Sequence, residues 1–313
     1  ARAKPWLDHL LANALPRQGR LALSPMLNEN GKLIGDFTVG RLDDRRFFIF
    51  GSGMGEQYHM RWFEAHLPAD AGVKVQAHGM GLLGLSIAGP KARELLSRLT
   101  DDDVSAEAFR FMDFRQMSLG MIPALVGRVS FTGDLGYEFW VRPEFHARLW
   151  DDILDKGEAF GIQPFGSRAM RSMSLEKGFG SWATEYRPIY GPFAAGMGRF
   201  VSLNKEDFIG RESAVLEKEQ GPEKSLVTFT VDVAGCDVMG NEPIYQGSEI
   251  VGYVTSGMYA HHVDRSVALG YVPTGLAADV SDGAFAIEIL GEMRPATIAP
   301  RALFDPDASR MRG

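Results

Sequence analysis

The chain has 313 residues, 45% of them hydrophobic and 23% charged, with a formal net charge of -7 and a sequence pI near 5.6. An acidic chain without clustered Lys and Arg argues against nucleic-acid binding and against an anionic membrane surface. A single cysteine, Cys236, excludes an intramolecular disulfide framework, as expected in a reducing, cytoplasmic compartment. No apolar run approaches the roughly 20 residues that span a bilayer, and we expect small molecules or protein surfaces as partners.

The first predicted element is a helix, because Trp6, Leu7, Leu10, Leu11 and Leu15 recur at helical spacing. The first residues lack the long apolar core of a signal peptide. The chain enters this helical pattern without an initiator Met, and we expect it to be part of something longer.

The stretch GKLIGDFTVG, residues 31–40, has the alternating pattern of a β-strand. The alternation predicts that one face carries Leu33, Gly35, Phe37 and Val39 and the other carries Ile34, Asp36 and Thr38. Asp36 is unusual in such an apolar strand. It is either an exposed acid on the wet face of a half-buried sheet or a functional carboxylate, and for a single such residue the first explanation is the commoner one.

Strands and helices alternate from residue 45 to about residue 155. RRFFIFGSG (45–53) predicts a strand, HMRWFEAHL (59–67) a helix, and LLGLSIAGPKARELLSRLT (82–100) a strand, a Gly-Pro break and a helix. VGRVSF (126–131), the turn residues TGD and YEFWV (137–141) predict a pair of strands that leads through Pro143 into another helix. This interleaving predicts an α+β fold.

The sequence changes character near residue 216. Short strand-like segments replace the helical pattern and predict a β-barrel or sandwich: SLVTFTVD, EIVGYVTSG, RSVALGYV, AIEIL and RPATIAP. The charged segment LEKEQGPEK (216–224) is the best linker candidate. We therefore predict an α+β region over residues 1–215 and a β-barrel domain over residues 216–313.

Familiar catalytic motifs are mostly absent from the sequence. It has no GxGxxG opening a βαβ unit, no phosphate loop, no nucleophile elbow and no HExxH. The adjacent pair His261 and His262 lacks a nearby third ligand, and we predict no metal site. Glu138 repeats the pattern of Asp36, since it is an acid within the otherwise apolar strand YEFWV.

Six segments in order resemble landmarks of the glycine cleavage T-protein (aminomethyltransferase) family. Within it, the chain looks most like the C-terminal folate domains of dimethylglycine and sarcosine dehydrogenases and of dimethylglycine oxidase. The resemblance covers nearly the whole chain and rests on LSPMLNENGKLIGDFTVGRL, SIAGPKARELLSRLT, SFTGDLGYEFWV, SMSLEKGFGSW, FVSLNKEDFIGRESA and VTSGMYAHHVDRSVALGYVP.

The resemblance implies a T-protein-like cloverleaf of ferredoxin-like α+β lobes with a C-terminal β-barrel around a tetrahydrofolate pocket. Asp36 matches the family aspartate beside the folate amine nitrogens, where a carboxylate can take a proton and stabilise a cationic iminium. Glu138 matches the family glutamate that accepts two neighbouring pterin N–H groups. The remaining cofactor-binding candidates are Tyr137, Phe131, Trp182 and Met26.

The chain departs from the family pattern at three positions. Leu23 stands where many relatives have a pocket tyrosine, Ser174 where they have an arginine, and Ala194 where they have the glutamate of a PxEAG pattern. Losing the arginine removes a bidentate anion clamp that Ser cannot replace. Arg168 and Arg171, on the same predicted helix, are the candidates to compensate.

The resemblance implies transfer of a one-carbon unit from a small N-methylated amine to tetrahydrofolate. FAD enters only if it is carried on a missing N-terminal domain or on a flavoprotein partner, because these residues contain no FAD-binding fingerprint. Two alternatives stay open: direct methyl transfer from an O- or S-methyl donor, and a non-catalytic regulatory or assembly domain of a flavoprotein.

Overall fold

The computed structural model describes residues 2–70, 72–233 and 235–313 and arranges them as three sheets with flanking helices. The first part contains α1 (Ala3–Leu10), β1 (Arg20–Leu27), β2 (Leu33–Arg41), β3 (Phe47–Phe50) and α2 (Glu56–Ala65). The second contains β4 (Leu83–Ala88), α3 (Ala92–Leu99), β5 (Phe114–Leu119), β6 (Ile122–Gly127), β7 (Gly136–Val141) and α4 (Pro143–Gly157).

Two further helices lead to the last part of the chain. They are α5 (Ser167–Glu176) and α6 (Arg211–Gln220). The last part contains β8 (Lys224–Val231), β9 (Pro243–Gln246), β10 (Glu249–Ala260), β11 (Arg265–Pro273), β12 (Phe285–Ile289), β13 (Glu292–Ala299) and α7 (Ser309–Arg312). Across the described ranges, none of the helices has the length and apolar character needed to cross a membrane.

The first sheet has the order β1-β2-β3 and is antiparallel throughout. Its register shifts once near the start of β2, where Ile34 is an extra residue that forms a β-bulge. Ile34 therefore joins the apolar cluster of Phe37, while Leu33 packs in a different cluster. The predicted alternation is wrong at Leu33 and Ile34, but beyond the bulge it holds, and Asp36 points away from the face of Phe37.

The second sheet has the order β4-β7-β6-β5, and α3 and α4 cover one of its faces. Tyr137, Phe139 and Val141 of β7 point into the core beneath these helices. Trp140 points to the other face and stacks on Phe50 of the first sheet, with 4.0 Å between the ring centroids. The two sheets therefore pack against each other through aromatic side chains.

The last part is a closed barrel with the strand order β10-β11-β8-β13-β12-β9. Its interior is filled by apolar side chains such as Phe229, Val254, Phe285 and Ile298. The predicted α+β class with a C-terminal β-barrel is confirmed. The four-residue strand β9, which pairs with β10 and β12 to close the barrel, has no counterpart among the predicted strands.

Gly252 is a barrel position at which the backbone leaves no room for a side chain. It lies at a bulge in β10, and an added Cβ would overlap the backbone carbonyl oxygen of Tyr271. We expect Gly252→Ala to lower the free energy of unfolding by about 3 kcal/mol, because the clash is with backbone. Urea denaturation measures the loss. Gly275→Ala is the control, since a Cβ there meets nothing within 4 Å, and an equal loss in both variants would contradict this explanation.

Candidate functional site

Asp36 and Glu138 lie on sheet faces that point toward each other. Asp36 is two residues from Thr38 on one face of β2, and Thr38 pairs with Phe50 of β3. Glu138 is two residues from Trp140 on one face of β7. Because Phe50 stacks on Trp140, the aspartate-bearing face of the first sheet meets the glutamate-bearing face of the second. The structure therefore brings the two predicted carboxylates to one interface between sheets.

The carboxyl of Asp36 is largely removed from water. Burial, together with the negative charge of Glu185, raises the pKa of Asp36 from 3.8 to about 7, although its own backbone amide opposes the shift. Its Oδ1 is buried and has no hydrogen-bond partner in the described part of the chain. A carboxyl in this state has a free acceptor and exchanges a proton near neutral pH, which are the properties of a general acid or base.

Glu138 has the same electrostatic character. Burial raises the pKa of Glu138 from 4.5 to about 7. Its neighbours across the sheet, Ser86 of β4 and Gly127 of β6, bring no charge. A desolvated carboxylate without a cationic partner is costly, and a ligand that supplies N–H donors removes that cost.

The raised pKa values predict how stability depends on pH. Because the folded-state pKa of Glu138 lies above its unfolded value, the folded protein binds more protons than the unfolded chain between about pH 4.5 and pH 7. The free energy of unfolding contributed by this group falls as the pH rises through that range, and the loss is complete above about pH 7. We expect Glu138→Gln, which stays neutral, to be more stable than the wild type by about 1–3 kcal/mol at pH 8.5.

Urea denaturation at about pH 4 and about pH 8.5 measures this difference. The two proteins should be equally stable at the lower pH, where Glu138 is protonated in both the folded and unfolded states. Glu249→Gln, at an exposed position on β10, should match the wild type at both pH values. A stability gain in Glu138→Gln that is the same at both pH values would show that charge is not its cause.

The other predicted cofactor-binding residues occupy different environments. Trp182 is partly exposed, and its ring lies 5.0 Å from that of His59, centroid to centroid. Phe131 stacks on Phe179 at 6.0 Å. Tyr137 is fully buried on the face of β7 opposite to Glu138, and Met26 is fully buried in β1. Their roles stay predictions, with Trp182 and Phe131 the two that retain exposed surface.

The structure places the three departures from the family pattern in different surroundings. Leu23 pairs with Thr38 across the first sheet and so lies on the face that carries Asp36. Ser174 is fully buried in α5 and donates a hydrogen bond to the Arg171 carbonyl at 2.9 Å. At Ala194, the backbone N–H donates to Glu217 of α6 at 3.3 Å.

Of the two arginines proposed to compensate for Ser174, Arg168 is exposed on α5. Arg171 points inward and forms an ion pair with the buried carboxylate of Glu185 at 2.9 Å. Neither arginine is therefore placed as an unpaired cation inside the site, where it could bind an anionic group of a ligand. Sequence reasoning missed Glu185, because an acid in the loop sequence ATEYRP carries no strand or helix pattern that marks it as buried.

His59 is a second residue that sequence reasoning missed. It is buried on α2, and the ring of Phe37 packs edge-on against it at 4.8 Å. A Cβ on Gly35 would lie 3.4 Å from its Nε2, so the imidazole sits directly against the strand of Asp36. Burial lowers the pKa of His59, and the neighbouring backbone of Ile34 only partly opposes this. The signal that could have identified His59 as buried was the helical spacing of the apolar residues that follow it in the predicted helix over residues 59–67.

Two family descriptions match the chain. The GCVT N-terminal domain matches residues 1–205, and the glycine cleavage T-protein C-terminal barrel domain matches residues 224–305. The chain therefore belongs to the glycine cleavage T-protein family, as its sequence landmarks predicted.

Individual relatives agree with this assignment. The chain is 35% identical over 312 residues to human mitochondrial dimethylglycine dehydrogenase, a match that covers 98% of this chain and 36% of that protein. It is 30% identical over 275 residues to an aminomethyltransferase of Natranaerobius thermophilus, covering 87% of this chain and 74% of the relative. The chain thus spans about a third of the length of the dehydrogenase and most of the length of the transferase.

A solved structure confirms the predicted T-protein-like fold. The aminomethyltransferase T of the glycine cleavage system from Bartonella henselae superposes with a TM-score of 0.85 at 21% identity. The superposition covers 98% of this chain and 82% of that structure. At 21% sequence identity, this structural similarity is evidence for the fold alone.

Proposed function

We propose that the chain binds tetrahydrofolate between the two facing sheets and transfers a one-carbon unit to it. The observation that carries the proposal is the pair of desolvated carboxyls, Asp36 and Glu138, on facing sheets, each with a pKa raised to about 7. Two such groups in one site are costly to the unliganded protein and suit a ligand with amine and N–H groups.

The residues present fit a reduced folate. Glu138 offers a carboxylate that accepts two adjacent N–H groups of a pterin ring in a bidentate manner. Asp36 offers the buried, unpartnered Oδ1 as an acceptor for an amine. Trp182 and Phe131 supply partly exposed aromatic surface against which a ring can pack.

The chemistry assigns separate tasks to the two carboxylates. Tetrahydrofolate, when bound, supplies the amine nitrogens that accept the one-carbon unit. Asp36 in its ionised form takes up a proton at Oδ1 during transfer and stabilises positive charge on the incoming group. Glu138 holds the ring in one orientation, which keeps the reacting nitrogen in place while Asp36 acts.

We infer a small N-methylated amine, such as dimethylglycine or sarcosine, as the source of the carbon unit. The 35% identity to human dimethylglycine dehydrogenase supports this donor class. Oxidation of such an amine requires an electron acceptor, and FAD on a further domain or on a flavoprotein partner would supply it. In this proposal the present chain carries out the folate-dependent half of the process.

A donor screen tests the proposed reaction. The protein is incubated anaerobically with tetrahydrofolate and one of two donors. The first is a ¹³C-methyl N-methylated amine with a stoichiometric amount of an oxidised flavin-dependent amine dehydrogenase, whose FAD takes up the two electrons. The second is a ¹³C-labelled O- or S-methyl donor. Mass spectrometry identifies the product. Labelled methylenetetrahydrofolate, formed faster than with Asp36→Asn, supports the proposal. Labelled methyltetrahydrofolate would instead indicate direct methyl transfer. Methylenetetrahydrofolate formed no faster than in a mixture without the chain would favour a non-catalytic domain.

A further inference from the structure

Two buried hydroxyl side chains, Ser130 and Thr132, lie on the segment that leads into β7. Their hydroxyl oxygens are 2.7 Å apart, which is a hydrogen-bond distance. The Thr132 backbone N–H donates to Ser130 Oγ at 3.2 Å, and the Asp134 backbone N–H donates to Thr132 Oγ1 at 3.3 Å. The two side chains form a hydrogen-bonded pair, called the Ser130–Thr132 pair, in which each oxygen also accepts a backbone N–H.

A count of hydrogens shows that one donor of this pair is unused. Each hydroxyl carries one hydrogen, and the bond between the two oxygens uses only one of them. Within the described part of the chain, neither hydroxyl donates to any further acceptor. One O–H therefore remains for a ligand, and leaving a buried donor without an acceptor is unfavourable.

The Ser130 hydroxyl lies on the face of β7 that carries Glu138. A Cβ built on Gly136 would lie 2.6 Å from Ser130 Cβ and 2.9 Å from Ser130 Oγ. Ser130 therefore occupies the space that a side chain at position 136 would need. Gly136 and Glu138 are two residues apart on one strand, so their side-chain positions share a face and are about 7 Å apart. The Ser130 hydroxyl is thus the neighbour of Glu138 on this face.

The edge of a pterin ring has three hydrogen-bonding groups in a row. The 2-amino group and the adjacent ring N–H are donors, and the C4 carbonyl beside them is an acceptor. Glu138 is proposed to accept the two donors, and an ionised carboxylate has no hydrogen for the carbonyl. A hydroxyl donor next to Glu138 supplies what the third group requires.

We propose that Ser130 is a further ligand-binding residue of the folate site, and that its hydroxyl donates a hydrogen bond to the C4 carbonyl of the pterin ring. The inference rests on the proposed function. Within the pair, Thr132 donates its O–H to Ser130 Oγ, which leaves the Ser130 hydrogen for the ring. Both lone pairs of Ser130 Oγ are then occupied by Thr132 donors, so this oxygen accepts nothing more. The pair therefore favours a carbonyl over an amino group at that ring position.

Isotope-edited infrared spectroscopy tests this hydrogen bond directly. The difference between unlabelled and ¹³C4-labelled tetrahydrofolate, bound under anaerobic conditions, isolates the C4 carbonyl stretch. Because a hydrogen bond lowers this frequency, we expect the frequency to rise in Ser130→Ala. Ser130→Cys keeps a side chain of similar size but is a weak donor, and it should shift the stretch in the same direction. Thr132→Val leaves the Ser130 hydrogen in place and should stay close to the wild-type frequency.

Calorimetry on the same samples gives a second readout. Ser130→Ala should weaken tetrahydrofolate binding by about three- to tenfold, the usual effect of losing one hydrogen bond. Ser97→Ala is the matched control, because Ser97 is exposed on α3, which covers the opposite face of the sheet. The control should change neither the affinity nor the carbonyl frequency.

An unchanged stretch in a folded Ser130 variant would overturn the proposal. A shift in Thr132→Val as large as that in Ser130→Ala would also overturn it, since the donor would then be Thr132. If neither Ser130 variant folds, the role of Ser130 is structural and the proposal is wrong. Absence of tetrahydrofolate binding by the wild type would contradict the proposed function itself. Binding with a carbonyl stretch that does not respond to Ser130 would contradict this inference alone.

Discussion

Asp36→Asn should slow one-carbon transfer to tetrahydrofolate by about 10²–10⁴-fold, the usual contribution of a positioned general acid or base. The Asn side chain keeps the size of Asp36 and one acceptor oxygen but takes up no proton at neutral pH. Folate affinity should change far less than the rate, because Glu138 rather than Asp36 is proposed to hold the ring. Single-turnover kinetics and calorimetry on the same variant separate the two effects.

The pH dependence of the rate gives the same prediction a second readout. Since Asp36 is proposed to act in its ionised form and burial raises its pKa to about 7, the wild-type rate should increase as the pH rises through about 7. The residual rate of Asp36→Asn should lack this increase. Asp151→Asn, at an exposed position on α4, is the matched control and should behave as the wild type. A variant at position 36 that retains the full rate would remove Asp36 from the mechanism.

Glu138→Gln should weaken tetrahydrofolate binding by about tenfold or more, which corresponds to roughly 1.4 kcal/mol. Gln presents one acceptor and one donor group where the pterin requires two acceptors, so one N–H of the ring is left facing another donor. Calorimetric titration under anaerobic conditions measures the loss. Glu249→Gln again serves as the control and should leave the affinity unchanged.

The proposed role of Glu138 also predicts how tetrahydrofolate affinity depends on pH. Burial raises the pKa of the unliganded Glu138 to about 7, and Glu138 is proposed to bind the ring as a carboxylate, so wild-type affinity should fall as the pH drops below about 7. Binding at pH 6 should release a proton, which calorimetry in buffers of different ionisation enthalpy detects. In Glu138→Gln both effects of this group should disappear. Unchanged affinity and proton release in the variant would place the pterin elsewhere.

The local pattern of the sequence predicted the two carboxylates but not their surroundings. Asp36 and Glu138 stand out because each interrupts an apolar strand, and the alternation assigns each to a face. That these faces meet depends on packing between Phe50 and Trp140, which lie 90 positions apart and leave no local signal. The surroundings of Glu185 escaped prediction for the same reason, since Thr255, which donates a hydrogen bond to Glu185, lies 70 positions further along the chain.

Some predicted boundaries failed for identifiable physical reasons. The strand predicted over residues 126–131 ends at Gly127, because Ser130 and Thr132 hydrogen-bond to each other at 2.7 Å and turn the chain toward β7. The first helix ends at Leu10 rather than near Leu15, since the chain there turns toward the first sheet. The proposed division after residue 215 stays a prediction, although the first barrel strand begins close by at Lys224.

Anaerobic calorimetric titration of tetrahydrofolate into the unmodified chain would test the proposed function most directly. We predict saturable binding at one site per chain in the micromolar range, weakened in Glu138→Gln and little changed in Asp36→Asn. Absence of binding by a correctly folded protein would contradict the proposal and favour a domain that keeps the T-protein fold for regulation or assembly.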